Sequence, residues 1–250
     1  MRRLRKLLLS PMFMALLIML SLLLYALTYM PRAFSGRYYH YLSRLWCRIM
    51  IRLLDVDLRM VMMSSRPVPD HYIMVANHPS ALEDFAVPAL FDIYPLAKVE
   101  VKDWFVLGRI SDYAGTIYVE RESKDSRKLA LQSLIDAVSA GRNLVIFPEG
   151  GCKGKRIYES FRTGAFDIAM QTGVPILPVY LCYHDEDAFE WTDQTLVQKL
   201  WQIYLNEDNL VEYQVHEPLD PADFDDRIQF AEHTRQLFLK WQQQRLNPAN

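Results

Sequence analysis

The 250-residue sequence predicts an α/β fold, with a mostly parallel central sheet flanked by helices and with membrane-associated helices at the N-terminus. Three observations support this prediction. From about residue 57 onward, short apolar runs alternate with segments of helical periodicity. An apolar block of bilayer length comes first in the chain. Hydrophobic residues make up 51% of the chain, enough for one large core.

The N-terminal section predicts two helices. The first begins with Ser10 as cap, continues to Met30 and, at about 20 residues, is roughly 30 Å long. A cleavable signal peptide is the alternative, but the block is long and no small-x-small cleavage site follows it. In the second helix, residues 37–54, three arginines four residues apart share one face, which favours a helix lying on anionic lipid. We therefore expect residues 1–56 to be a membrane-anchoring pair; whether the first helix spans or dips stays open.

Charge and cysteine content limit the partners. The first 60 residues hold ten Lys or Arg and two acidic residues, whereas the remainder is acidic overall. A basic N-terminal section favours an anionic membrane surface over nucleic acid as partner. Three cysteines, Cys47, Cys152 and Cys182, are too few and too scattered for a disulfide framework, which indicates a reducing compartment.

The remaining residues, 57–250, predict one domain in which strands alternate with helices. Strands are predicted at 72–76, 96–101, 115–121, 144–147 and 176–183, with an edge strand at 212–215. Helices are predicted at 80–91, 104–110, 125–140, 164–171 and 220–245. The first of these helices opens on Ser80-Ala81-Leu82-Glu83, which has the form of a capping box. Residues 184–209 show no clear period.

Polar residues follow three of the predicted strands. His78 follows the first, with Glu83 and Asp84 five and six residues later, Arg121 ends another, and Pro148-Glu149-Gly150 follows a third. Carboxyl ends of parallel strands share one edge of the sheet, so a base, a cation and a glycine turn would converge there. Each feature taken singly has an ordinary structural explanation, such as a capped surface histidine or a solvent ion pair.

Four ordered blocks resemble the lysophospholipid acyltransferase superfamily, which includes the 1-acylglycerol-3-phosphate acyltransferases. The blocks are Asn77-His78 with Glu83 or Asp84, Gly115-Thr116-Ile117-Tyr118-Val119-Glu120-Arg121, Phe147-Pro148-Glu149-Gly150 with Phe161-Arg162-Thr163-Gly164-Ala165, and Val174-Pro175-Ile176-Leu177-Pro178-Val179. Together they are specific, although each alone is not. The resemblance implies a glycerolphosphate acyltransferase-like fold, with residues 57–250 as the acyltransferase domain and 72–183 as its motif core.

The resemblance also implies a reaction and a set of roles. A fatty acyl group would pass from acyl-CoA or acyl-carrier protein to the free hydroxyl of lysophosphatidic acid, at a membrane and on its cytosolic side, without metal or other cofactor. His78 would be the general base, oriented by Glu83 or Asp84. Substrate binding would fall to Arg121, Glu149, Gly150, Gly151, Lys153, Arg162 and Lys98, with the two glycines at the oxyanion and the cations at the acceptor phosphate.

Two departures from the family pattern leave alternatives open. The family acid falls at Glu83, but Glu83 also fits the capping box, which would leave Asp84 to hold His78. Gly151-Cys152 stands where the family often has Thr-Arg, so another lysolipid is an alternative acceptor. Two further alternatives are a covalent mechanism through Cys152 and a catalytically inactive lipid-binding protein.

Overall fold

The computed structural model describes residues 2–94, 96–104, 106–119, 124–152, 154 and 156–246. Its helices are α1 (Arg2–Leu27), α2 (Arg32–Leu53), α3 (Glu83–Leu90), α4 (Leu107–Tyr113), α5 (Lys124–Ser139), α6 (Gly164–Thr172), α7 (Glu186–Phe189), α8 (Leu196–Leu205) and α9 (Arg227–Leu246). Its strands are β1 (Asp57–Met62), β2 (Ile73–Ala76), β3 (Leu96–Lys98), β4 (Ile117–Val119), β5 (Leu144–Ile146), β6 (Ile176–Tyr183) and β7 (Leu210–Val215).

The strands form a five-stranded sheet in the order β1–β7–β6–β2–β5 and a separate β3–β4 pair. In the large sheet, β2 is parallel to both of its neighbours and β1 is parallel to β7, while β6 and β7 are antiparallel. An isolated parallel bridge between Tyr94 and Leu144 places the β3–β4 pair beside β5. The predicted α/β fold with a mostly parallel sheet is confirmed.

Helices cover both faces of the sheet, so β2 and β6 are buried at every residue. This explains why both strands are continuous apolar runs in the sequence. The core on one face joins the sheet to α2, α3, α7 and α8, and the core on the other joins it to α5, α6 and α9. Because apolar cores occupy both faces of the sheet, polar side chains are placed at the carboxyl ends of its strands.

The N-terminal helices α1 and α2 pack against each other around Leu20, Leu24 and Tyr39. Within α1, the 20 residues Leu8–Leu27 are long and apolar enough to cross a membrane by length and composition. The last turn of α2 and the residues after it enter the core of the sheet domain through Ile51 and its neighbours. The pair is therefore continuous with the domain.

Two of the three arginines in the predicted stripe, Arg44 and Arg48, bond to the end of α3. Arg44 Nε donates to the carbonyl of Pro88 at 3.1 Å, and Arg48 Nε donates to that of Ala89 at 2.9 Å. These carbonyls lie at the carboxyl end of α3, where cations are stabilised by the helix dipole. Arg44 is half-buried, so the prediction that it lies on lipid was wrong. Arg48 and Arg52 are both exposed, and for them the lipid-facing stripe stays a prediction.

Several predicted boundaries also differ. The helix predicted from Ser10 starts at Arg2, because the leucine-rich turns before Ser10 continue it, and Ser10 Oγ lies 3.0 Å from the Tyr204 hydroxyl instead of capping. The strand at 212–215 is interior, as β7, and β1 is the outer strand. β1 was not predicted; although Leu58, Met60 and Met62 alternate along it, the strand lies at the sheet's outer edge and is mostly exposed.

Candidate active site

The carboxyl ends of β2 and β5 lie side by side, since the two strands pair in parallel register from Ile73–Leu144 to Val75–Ile146. Asn77 fixes the end of β2 by exchanging two hydrogen bonds with the backbone of Leu181, at 3.1 and 2.8 Å. His78 follows Asn77 directly. Its imidazole therefore lies at the carboxyl edge of the sheet, where α/β proteins usually bind their ligands.

Two contacts fix the His78 ring. Its Nδ1 lies 3.2 Å from Glu83 Oε2, and its face stacks on Phe147 with ring centroids 4.1 Å apart. An ionised carboxylate only accepts hydrogen bonds, so Nδ1 carries the proton and Nε2 carries the lone pair. Nε2 points away from Glu83. The ring is thus held in the tautomer that a general base requires.

Glu83 is the partner of His78, and Asp84 is not in hydrogen-bond contact with it. The side chain of Glu83 is fully buried, while Asp84 is exposed. Glu83 makes no capping bond; α3 begins at Glu83 itself, so the capping-box interpretation was wrong. The other carboxylate oxygen of Glu83 accepts a hydrogen bond from the hydroxyl of Tyr183, at the end of β6.

The three carboxylates around His78, those of Glu83, Asp84 and Glu149, raise the pKa of its imidazole. Burial lowers the pKa of His78, but the hydrogen bond to Glu83 and the charges of Glu83, Asp84 and Glu149 outweigh burial, so the pKa is raised above 6.5. Surrounding protein raises the pKa of Asp84 to about 6, and His78 lowers it. With a pKa of about 6, Asp84 is mostly ionised at pH 7. The site therefore stabilises an imidazolium at His78.

Glu149 is a second carboxylate that contacts His78. It is 5% exposed, and its Oε2 accepts the backbone N–H of His78 at 3.1 Å. Its Oε1 is buried and has no hydrogen-bond partner among the described residues. Burial raises the pKa of Glu149 to about 7, against the opposing effect of the bond from His78. Glu149 ties the β5 turn to the end of β2.

The turn after β5 requires glycine. Gly150 has φ +77°, and a Cβ there would lie 2.2 Å from Nε of Arg162. The backbone N–H of Arg162 donates to the carbonyl of Pro148 at 2.8 Å. The guanidinium of Arg162 thus lies over Gly150, while the residue itself is exposed. Gly151 follows directly in the loop, half-buried.

The structure describes less of the other three cations predicted to bind substrate. Arg121 and Lys153 lie outside the described residues, and of Lys98 the structure describes the backbone, at the end of β3. β4, which precedes Arg121, pairs with β3 and not with the five-stranded sheet. Its direction is still that of β2 and β5, because the pairing at Tyr94–Leu144 is parallel. The sharing of one edge by all three strand ends stays a prediction for Arg121.

The thiol of Cys152 is half-buried beside the same carboxylates. Burial raises its pKa to about 12, and the charges of Glu83, Asp84 and Glu149 add to the effect. A thiolate is the nucleophilic form of cysteine, so this setting disfavours nucleophilic attack. The geometry favours direct transfer over a covalent acyl-cysteine.

Sequence reasoning missed Tyr183 and Phe147 as parts of the site. Tyr183 is 3% exposed, and Phe147 sits at the start of the Phe-Pro-Glu-Gly block. For Tyr183 the sequence offered one signal, a tyrosine that ends a buried strand, since a buried hydroxyl needs a partner. For Phe147 the signal was its place in that block, but an aromatic residue at a strand end also has an ordinary packing explanation.

Comparison with known proteins places this site in a family. The Acyltransferase family model matches residues 59–182. A 1-acyl-sn-glycerol-3-phosphate acyltransferase of Neisseria meningitidis is 30% identical over 62% of this chain and 63% of its own length. A lyso-ornithine lipid O-acyltransferase of Pseudomonas aeruginosa is 30% identical over 78% of this chain and 76% of its own length. The matched part thus spans about three fifths of the first relative and three quarters of the second.

A solved structure agrees with the fold. The crystal structure of the 1-acyl-sn-glycerophosphate acyltransferase PlsC from Thermotoga maritima has a TM-score of 0.63 with 20% identity, covering 96% of this chain and 95% of that one. At this identity the likeness supports the fold alone. Taking the family model and the relatives together, the chain belongs to the acyltransferase family that includes the 1-acyl-sn-glycerol-3-phosphate acyltransferases.

Proposed function

We propose that the protein is a membrane-bound O-acyltransferase. It transfers a fatty acyl group from acyl-CoA or acyl-carrier protein to the free hydroxyl of 1-acylglycerol-3-phosphate and yields phosphatidic acid. The observation that carries the proposal is the contact between His78 Nδ1 and the buried carboxylate of Glu83, 3.2 Å apart at the edge of the parallel sheet. Family membership supplies the reaction class.

The proposed step is direct acyl transfer. Nε2 of His78 takes the proton of the acceptor hydroxyl as its oxygen attacks the thioester carbonyl. The tetrahedral intermediate then collapses: the new C–O ester bond stays, the C–S bond breaks, and the imidazolium returns its proton to the departing thiolate. Glu83 stabilises the imidazolium between these events, as the raised pKa of His78 indicates. Neither metal nor another cofactor takes part in this scheme.

The turn after β5 supplies the other two requirements of this proposal. The backbone N–H of Gly151 binds the oxyanion, whereas that of Gly150 donates to the carbonyl of Phe147 at 3.1 Å and holds the turn. Glu149 holds the turn against His78 through its own 3.1 Å hydrogen bond. Arg162, laid over Gly150, binds the acceptor phosphate. We assign Arg121, Lys98 and Lys153 to the same phosphate on the family resemblance.

A second acceptor has its own support. The Pseudomonas relative, named for lyso-ornithine lipid, aligns over more of this chain than the Neisseria relative does. The third block here reads Gly150-Gly151-Cys152, without the arginine often found there in the family. A lysolipid with a headgroup other than phosphate is therefore the alternative acceptor. An inactive lipid-binding role is disfavoured by the intact pairing of His78 with Glu83.

We further propose that α1 and α2 anchor the protein in the inner membrane with the sheet domain facing the cytosol, where acyl-CoA and acyl-carrier protein are found. The support is the 20-residue apolar stretch Leu8–Leu27 and its exposed side chains, among them Leu22 at 65%.

The experiment is a matrix of substrates. Purified protein in vesicles is given lysophosphatidic acid, lyso-ornithine lipid or lysophosphatidylcholine, each with acyl-CoA or acyl-carrier protein, and products are identified by mass spectrometry. We expect one acceptor to be acylated by wild type and by His233→Ala, a histidine exposed on α9, and not by His78→Ala. Product from His78→Ala at the wild-type rate would contradict the base assignment. Absence of product from every pair would favour a binding role.

A further inference from the structure

An apolar stripe on α8 is exposed, on the side of the helix away from the core. Val197, Trp201 and Leu205 follow one another at four-residue spacing and are 75%, 61% and 59% exposed. The opposite face of α8 packs into the core through Ile203, and the buried Lys199 donates to the carbonyl of Ala188 at 3.1 Å. The helix is thus firmly seated, and the outward stripe is not a fraying end.

The carboxyl end of α8 is joined to the start of α1. Lys6 Nζ donates to the carbonyls of Tyr204 at 2.5 Å and Asn206 at 3.0 Å, and Ser10 Oγ lies 3.0 Å from the Tyr204 hydroxyl. Trp201 stacks on Tyr204 with centroids 5.4 Å apart, so the stripe lies next to this junction. Lys6 thereby caps the last carbonyls of α8.

This junction fixes the depth of the α8 stripe relative to a bilayer that α1 enters. Lys6 and Ser10 occupy the first turns of α1, just before and at the start of its apolar stretch Leu8–Leu27. The first turns of a helix that enters a bilayer lie at headgroup level, where tryptophan side chains are favoured. Leu8 and Met12, on the same turns of α1, are apolar and 67% and 48% exposed.

We propose that the α8 stripe, Val197, Trp201 and Leu205, is a second membrane contact that lies in the interfacial region of the same leaflet that α1 enters. This inference rests on the membrane attachment in the proposed function. The contact is apolar in character, because the exposed charged residues nearest in sequence to the stripe, Glu207 and Asp208, are acidic and do not attract anionic lipid. High salt is therefore not expected to release it.

The test places an environment-sensitive probe on the stripe. Val197→Cys and Ile228→Cys are labelled with a nitrobenzoxadiazole dye in a full-length chain whose three native cysteines are replaced by serine. Ile228 is the matched control, an apolar position at 66% exposure on α9. Each protein is reconstituted into vesicles of phosphatidylethanolamine and phosphatidylglycerol, with and without brominated acyl chains, and is checked for flotation and activity.

We expect the probe at 197 to shift to the blue, brighten several-fold and be quenched by brominated lipid, in low and high salt alike. The probe at 228 should behave as in water. A floating protein whose 197 probe stays in water would overturn the α8 contact alone. Protein that does not float would overturn both the contact and the membrane anchoring. A 197 probe that is shielded without quenching, with cross-links between copies, would assign the stripe to a second copy instead of lipid.

Discussion

Two side chains from two elements lie behind the imidazole of His78. Glu83 at the start of α3 bonds to the ring, and Tyr183 at the end of β6 bonds to Glu83. The sequence could not choose between Glu83 and Asp84, since the choice depends on where α3 starts. The helix starts at Glu83 and buries that side chain to 1% exposure. Asp84 is turned outward.

Replacing each acid separately tests this assignment. Glu83→Gln removes the charge that stabilises the imidazolium, so we expect kcat to fall about 100-fold or more. Asp84→Asn removes an exposed charge that acts at longer range, so kcat should stay within about 3-fold of wild type. Steady-state kinetics with the acceptor found above, alongside thermal melting to confirm folding, make the measurement. Equal losses in the two variants would contradict the assignment.

Tyr183→Phe tests the second hydrogen bond on Glu83. The ring keeps its packing against Phe189, with centroids 4.8 Å apart, while the donor is lost. A less stabilised carboxylate attracts the proton of His78 more strongly, so the acid limb of the rate profile should move to higher pH and kcat should fall about 10-fold at constant KM. Tyr180→Phe, on the same strand, is the control. A Tyr183→Phe acid limb at the wild-type position would show that Tyr183 only packs.

The protonation of Glu149 is linked to stability. Its folded pKa of about 7 lies above its ordinary value of 4.5, so its contribution is full below pH 4.5 and is lost as pH rises through 7. Glu149→Gln abolishes this dependence. Relative to wild type, the variant should melt higher at pH 8 than at pH 5, by up to about 3 kcal/mol in the free energy of unfolding. A melting difference that does not change with pH would contradict the burial account.

Among the elements, the turn after β5 depends most on one residue. Gly150 has a positive φ, and its hydrogen atom stands where any Cβ would meet Arg162. The sequence predicted the turn, because Pro-Glu-Gly-Gly follows an apolar strand. It did not predict that Arg162, twelve residues later, packs on it, because that contact depends on the path of the loop between them.

Gly150→Ala should therefore cost more than backbone strain. Alanine at +77° is strained by about 1–2 kcal/mol, and the methyl group also displaces Arg162. Gly141→Ala is the matched control, with φ +82° and open space around it. We expect both variants to melt lower and Gly150→Ala alone to raise KM for the acceptor about 10-fold or more. Unchanged KM in both would remove Arg162 from the acceptor site.

Across the whole molecule, the alternating pattern was enough to predict the class of fold. Buried parallel strands such as β2 and β6 are apolar throughout and are easily recognised in sequence. β1 and α8 were not recognised, because one is mostly exposed and the other combines a buried lysine with exposed apolar residues. In both elements tertiary contacts override the local pattern.

The same holds for the join between the N-terminal pair and the sheet domain. The sequence treats the arginines of α2 as a lipid-facing stripe. In the folded chain, Arg44 and Arg48 bind the end of α3, the helix whose first residue is Glu83. The part of the protein assigned to the membrane thus touches the helix that carries the acid of the site. Contacts between residues 41 and 44 positions apart in sequence leave no periodic signal.

The most direct test of the account is the pH dependence of kcat/KM for wild type and Glu83→Gln. A base at His78 predicts an acid limb with an apparent pKa above 6.5 in wild type, because the neighbouring carboxylates favour imidazolium. In Glu83→Gln the limb should move to lower pH as the maximum rate falls. A wild-type rate that shows no loss between pH 8 and pH 5, or an acid limb that Glu83→Gln leaves in place, would contradict the central claim.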